Sequence, residues 1–254
     1  MQRLDKTVSQ FGNMTRSEAV RLIRGGRVTV DGTVCRDPAA KIDPAVCQVE
    51  VARRLLDCRE HLYVMLNKPA GILCVSHDEK ERTVVDLLPP DWRRAGMFPA
   101  GRLDKDTVGL VLLTDDGEYG HRLTAPGSHA YKIYRAVVAG EMSPDAAETF
   151  AAGMTLADGA RCLPAGLAVL SREEFGDLPE EFTQPVSFVE IRIREGKYHQ
   201  IKRMCAALGN PVLFLRRIAI GNLRLEGLPE GKCRLLDEAE TRLPWEPVEN
   251  ICAF

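Results

Sequence analysis

Gly109 is followed by four aliphatic residues in a row, Leu110-Val111-Leu112-Leu113, and the run ends at Thr114 before Asp115-Asp116-Gly117. No other stretch limits the fold as tightly. The run is too short for a helix and offers no polar residue to water, so it reads as a buried strand. Further strand-like runs lie at 62–66, 131–138 and 186–193. Helices are fewer. Ser143 before Pro144 predicts a helix start, with the helix running to about Ala152. Another is expected from Tyr198 to Leu208, stopped by Gly209. Strands with scattered helices, and no regular strand–helix–strand repeat, predict an α+β fold with a mostly antiparallel mixed sheet.

Residues 1–57 read as a separate small module. Leu4, Val8 and Phe11 recur at helical spacing. Thr15-Arg16-Ser17-Glu18 has the form of a capping box, and Ala19, Val20 and Ile23 give the helix behind it an apolar face. Gly25-Gly26 stops that helix. Arg27 to Val34 then alternates around Asp31-Gly32, which predicts a hairpin. The segment around Arg53–Cys58 reads as a linker, with 58–60 dividing the two domains. A second domain is expected over 61–240, and 241–254, with two prolines and little pattern, reads as a loosely held tail.

Charge is uneven along a chain whose net charge is only −2. From Met1 to Arg36 seven basic residues face three acidic ones, and from Arg192 to Arg224 eight basic residues face Glu195 alone. Two basic segments on a near-neutral chain suit phosphate contact at two places. In the first, the candidates are Arg3, Lys6, Arg16, Arg21, Arg24 and Arg27. No run approaches the roughly 20 apolar residues of a membrane helix, and MQRLDKTVSQ lacks a signal-peptide core. The expected compartment is the cytoplasm. None of the eight cysteines forms a C-x-x-C pair, so they read as free thiols, not metal ligands.

The chemistry points to Gly101-Arg102-Leu103-Asp104-Lys105-Asp106-Thr107-Val108-Gly109. A loop held by a buried strand is a good mount for a catalytic carboxylate. Asp104 and Asp106 also admit a reading as a magnesium pair, and Asp104 one as a turn residue bonding its own backbone. Farther on, Lys202 and Arg203 lie near the start of a predicted helix, where positive charge opposes the helix dipole. An anion nearby would explain them. The chain contains neither a P-loop nor a G-x-G-x-x-G.

Together these segments resemble the Rsu family of pseudouridine synthases. Arg3-Leu4-Asp5-Lys6 and Arg21 to Gly32 are similar to an S4-type RNA-binding domain. Asn67-Lys68-Pro69-Ala70-Gly71, Gly101-Arg102-Leu103-Asp104 with Thr107 to Gly117, Lys132-Ile133-Tyr134, and Glu195 to Met204 match four family motifs in order, with Ile201 for a valine. The resemblance covers the first module and about residues 61 to 236. It implies isomerisation of a specific uridine in 16S ribosomal RNA, without cofactor or metal, by a monomer acting on a small-subunit assembly intermediate. Asp104 would be the central carboxylate. Tyr134 would stack on the uracil and take the C5 proton. Lys202 would pair with the carboxylate, as a point charge where related families carry arginine. Arg102, Ile201 and Arg203 would contact the flipped nucleotide and its RNA. Three alternatives stay open: action on 23S ribosomal RNA, a non-catalytic assembly factor, and a hydrolase using Asp104 with another acid.

Overall fold

All seven residues of strand Val108–Thr114 are buried, as an uninterrupted aliphatic run requires. In the computed structural model, which describes residues 1–247 except 45, 126, 129 and 178–181, this strand lies inside a nine-stranded sheet. The main path runs Gly166–Leu170, Val186–Ile193, Lys132–Ala139, Val212–Ile220, Val108–Thr114, Tyr63–Lys68, Cys233–Leu235. The pairings are antiparallel except that between Val212–Ile220 and Val108–Thr114, which is parallel. The fold is therefore α+β with a mixed, mostly antiparallel sheet.

The parallel junction matters for the site. Arg217 pairs with Gly109, and Gly109 has a φ of 103°. A Cβ at Gly109 would lie 2.3 Å from the Arg217 carbonyl oxygen, so only glycine lets the two backbones meet here. Nearby, the register between Lys132–Ala139 and Val212–Ile220 shifts between Ile133 and Tyr134. The irregularity makes Tyr134 and Arg217 cross-strand partners.

The chain divides into two compact units, residues 1–62 with 88–97, and residues 63–87 with 98–254. In the first, helix Leu4–Phe11 and helix Arg16–Arg24 pack through Leu4, Val8, Ala19 and Ile23. The capping box forms as expected: Glu18 N donates to Thr15 Oγ1, and Thr15 N donates to Glu18 Oε2 at 2.9 Å. Asp31 and Gly32 both take positive φ, which suits the turn between Val28–Val30 and Thr33–Val34. The expected linker at Arg53–Cys58 contains a strand instead. Arg54–Leu55 pairs with Val49–Val51 at the sheet edge; a two-residue strand is too short to leave an alternation in the sequence.

Three other expectations shift. Helix Ala146–Ala152 starts two residues late, because Asp145, whose side chain meets the Ser143 hydroxyl, occupies the position before it. Helix Gln200–Ala207 begins after His199, which is left-handed with φ 47°. The part of the tail within the described residues is packed: Trp245 meets Tyr119 edge-on at 5.0 Å, and Arg122 lies 4.0 Å over the indole. Residues 248–254 lie outside the described residues. No helix among the described residues is long and apolar enough to cross a membrane.

Candidate active site

The loop before Val108–Thr114 is fixed from below by a lysine. Lys68 is 0% exposed, and its ammonium donates to the carbonyls of Pro69, Lys105 and Thr107 at 3.0, 3.0 and 2.9 Å. Three donors meet three acceptors, which only the charged form can do. Burial pushes this lysine below its ordinary value, and the charges of Asp106 and Asp104 oppose that drop. Gly71 N donates to the Lys105 carbonyl at 2.8 Å, and Thr107 N donates to the Asp104 carbonyl at 3.2 Å. The loop is thereby closed on itself, with Asp104 at its outer turn.

Asp104 keeps 27% of its side chain exposed. Lys202 Nζ lies 3.1 Å from its Oδ2 and 2.6 Å from Oδ1 of Asp106. The place a divalent cation would take between two carboxylates is therefore held by an ammonium. Burial works to lower the Lys202 value, but hydrogen bonds to Asp106 and Asp104 outweigh it, and the net shift is upward. His199 Nε2 lies 3.5 Å from Oδ1 of Asp104. The cations at this helix start meet internal carboxylates: Lys202 as described, and Arg203 an ion pair with Asp158.

The segment carrying His199 is held by Glu195. Its carboxylate accepts from Leu163 N at 2.9 Å, from Gln200 Nε2 at 2.8 Å and from Lys197. Tyr198 stacks on His199 at 3.8 Å between ring centroids and is 74% exposed.

Asp104 opens onto a cavity of about 660 Å³, which Arg102, Lys132, Tyr134, His199 and Arg217 help to line. That volume is in the range of small-ligand sites, about 300–1,000 Å³. Ile201 is buried and lines an adjoining recess of about 70 Å³ with Asp104 and Tyr134. Arg217 is buried. Its Nε donates to the Leu110 carbonyl at 2.7 Å and its Nη1 to the Tyr134 hydroxyl at 3.4 Å. Its Nη2 has no hydrogen-bond partner among the described residues. Burial, with the nearby Arg217 charge, pushes Lys132 down to about 8.

Asp104, Tyr134, Lys202, Arg102 and Ile201 thus come together around the adjoining recess, and the first two and Arg102 also line the larger cavity. Arg203 is committed to Asp158. Arg3, Lys6, Arg16, Arg21, Arg24 and Arg27 lie exposed on the first unit, and Arg3 and Arg16 both bond the buried Asp5. Sequence reasoning missed Arg217 and His199 as site residues and gave Lys68 and Lys132 no role of their own. The signal for His199 was present beside Lys202. For Arg217 there was none, since one arginine among eight basic residues carries no mark of burial.

Residues 62–207 match the family of RNA pseudouridylate synthases, and residues 2–45 match the S4 domain. The chain is 39% identical to ribosomal small subunit pseudouridine synthase A of Escherichia coli K12, over 94% of this chain and 97% of that one. It is 36% identical to an uncharacterised RNA pseudouridine synthase of Bacillus subtilis, over 96% and 99%. Among solved structures, a crystal structure of a pseudouridylate synthase aligns over 96% of this chain and all of that one, with 34% identity and a TM-score of 0.64. With the family match spanning residues 62–207, and a relative 39% identical over nearly the whole length of both chains, the chain belongs to the RNA pseudouridylate synthase family.

Proposed function

We infer that the chain isomerises one uridine of 16S ribosomal RNA to pseudouridine, with Asp104 as the central carboxylate. The observation that carries the residue assignment is the pairing of Asp104 with Lys202 at 3.1 Å, with Asp104 facing a cavity of ligand size. Support for the RNA comes from the near full-length likeness to enzymes named for the small ribosomal subunit.

The reaction breaks C1′–N1, turns the uracil and joins C1′ to C5. The C5 proton leaves and N1 gains one, so nothing is oxidised or reduced. In this reading Asp104 faces the sugar and base as C1′–N1 breaks, and Lys202 balances and orients it. Tyr134 stacks on the uracil and takes the C5 proton. The detached uracil carries negative charge and must not escape. Arg217, with its buried Nη2 group to spare, and Lys132 supply positive charge inside the cavity while the ring turns. Arg102 and Ile201 contact the flipped nucleotide, and the six basic residues of the first unit contact phosphates elsewhere. The working unit is a single chain in the cytoplasm, acting on a partly assembled small subunit.

Tritium release from C5-labelled uridine tests this. Wild type and Asp104→Asn would be offered 16S and 23S transcripts, naked and partly assembled with ribosomal proteins. Release from 16S alone, lost in the variant, is expected. Release from 23S would move the target. Tight binding without release would make the chain a binding factor.

A further inference from the structure

Tyr198 is the one exposed aromatic residue among the described residues, with 74% of its surface open. A single exposed ring is ordinary on a protein surface. This ring, however, edges the candidate site: Tyr198 and His199 both line the Asp104 cavity, with Arg102 and Tyr134. The wall of that cavity carries more cations than carboxylates, Arg102, Lys132 and Arg217 among them, a balance that suits a phosphate-bearing strand.

The backbone is arranged to hold the ring there. Consecutive side chains do not face each other on a helix, and on a strand they point to opposite sides. Tyr198 and His199 nevertheless stack, with centroids 3.8 Å apart and planes 19° from parallel. The left-handed backbone at His199, φ 47°, breaks both patterns and lets the rings meet. A non-glycine residue keeps such a conformation only where its surroundings fix it. Here Glu195 takes up Lys197, Gln200 and the Leu163 amide. Lys197 N donates to Gln200 Oε1 at 3.0 Å, and Arg203 Nη1 donates to the Tyr198 carbonyl at 3.2 Å. One face of the Tyr198 ring rests on His199, and the opposite face is open, as its exposure requires. His199 Nε2 lies 3.5 Å from Asp104 Oδ1, so the open ring stands one imidazole away from Asp104.

We propose that Tyr198 is the stacking seat for a base of the substrate RNA that flanks the target uridine. When the uridine leaves its stack for the Asp104 cavity, the neighbouring base loses a stacking partner, and the open face of Tyr198 replaces it. The cost of extruding the uridine falls by the stacking regained. Every base has a π face, so the seat aids presentation of the uridine and not the choice of sequence. The proposal rests on the reading of the Asp104 cavity as the target pocket.

The test uses the full-length protein and two readouts. Tyr198→Ala and Tyr198→Phe are compared with wild type for kcat and KM in tritium release, from naked 16S transcript and from the partly assembled particle. Their Kd is also measured for a short single-stranded RNA with one 2-aminopurine between runs of uridine, whose fluorescence is quenched by stacking. Loss of one stacked base predicts a rise of about tenfold in KM and Kd for Tyr198→Ala, with kcat kept. Tyr198→Phe should stay close to wild type and keep the quenching, because the ring and not the hydroxyl is the seat. Unchanged KM and Kd in Tyr198→Ala would overturn the proposal. So would a rise in KM confined to the particle with the Kd for RNA unchanged, which would make Tyr198 a contact for a ribosomal protein. A fall in kcat at constant KM would also overturn it, by assigning Tyr198 to support of His199 beside Asp104. Full turnover in Asp104→Asn would sink the reading of the pocket alone, and the 2-aminopurine titration would still decide whether Tyr198 takes a base.

Discussion

Asp5 and Asp104 are both held by cations, and they are held differently. Asp5 in the first unit is 4% exposed; Arg3 bonds both its oxygens, at 3.1 and 2.8 Å, and Arg16 adds a third bond at 3.1 Å. Its carboxyl falls to about 2, chiefly through the hydrogen bond to Arg3, with burial opposing. Asp104 in the second unit has one ammonium at 3.1 Å and an imidazole nitrogen at 3.5 Å, and an open cavity in front. Asp5 is saturated by its own chain. Asp104 has lone pairs left for something the chain does not contain. The same contrast separates Lys68, whose three donors are all used, from Arg217, which keeps its Nη2 group unused. Saturation marks a structural charge, and a buried shortfall marks one arranged for a ligand.

The sharpest way to break the contrast is to neutralise each aspartate. If Asp104 is the central carboxylate as proposed, Asp104→Asn should lower the tritium-release rate by about four orders of magnitude or more with the Tm unchanged. Asp5→Asn should keep kcat at saturating RNA. If Asp5→Asn also abolished kcat, the distinction between saturated and unsaturated carboxylates would be wrong.

Lys68→Met probes the saturated class from within the active unit. Three carbonyls lose their donor, and the substitution should cost roughly 3–5 kcal/mol. Denaturant unfolding would show it as a lower midpoint, with activity lost because the Asp104 loop is no longer fixed. A midpoint near wild type would mean that the loop is held mainly by its backbone bonds.

Lys132 sharpens the unsaturated class. Burial first, then the Arg217 charge, lowers its value to about 8, so its cation is present below that pH and is lost as pH rises through it. If that cation steadies the detached uracil, kcat should fall about tenfold between pH 7 and 9. Lys132→Arg, which keeps its charge throughout, should move the fall to higher pH. A pH profile identical in the two proteins would remove Lys132 from the chemistry.

How much of this was legible beforehand follows the same division. Local grammar was readable because neighbouring residues decide it: the Thr15–Glu18 box, the Asp31-Gly32 turn and the buried run at Leu110 all formed where expected. Asp104, Tyr134 and Lys202 were legible as motif residues. What could not be read was anything set by the sheet's order. Arg217 meets Tyr134 across strands 83 positions apart in sequence, through a register shift and a glycine that admits the backbone. Lys68 looked like part of a turn because its three carbonyl partners leave no trace in residue identity. The tail looked loose because Trp245 finds Tyr119 and Arg122 only once the chain has returned to the sheet.

The smallest effect belongs to Asp5 and depends on the sign of its shift. Its folded-state value lies below the ordinary 3.8, so pairing with Arg3 and Arg16 stabilises the first unit fully above about pH 4 and is lost as pH falls towards 2. Both arginines are well exposed, and solvent screens the pairs, so the contribution is modest. Asp5→Asn should lower the first thermal transition of the full chain at pH 7 by about 4 °C. At pH 2 the gap between variant and wild type should shrink to a small remainder, since pH 2 lies at the folded Asp5 value and most of the pairing contribution is lost there. High salt should narrow it at pH 7 as well. A gap that persists undiminished at pH 2 would show that Asp5 acts through packing and neutral hydrogen bonds, and the saturated aspartate would then owe its place to shape instead of charge.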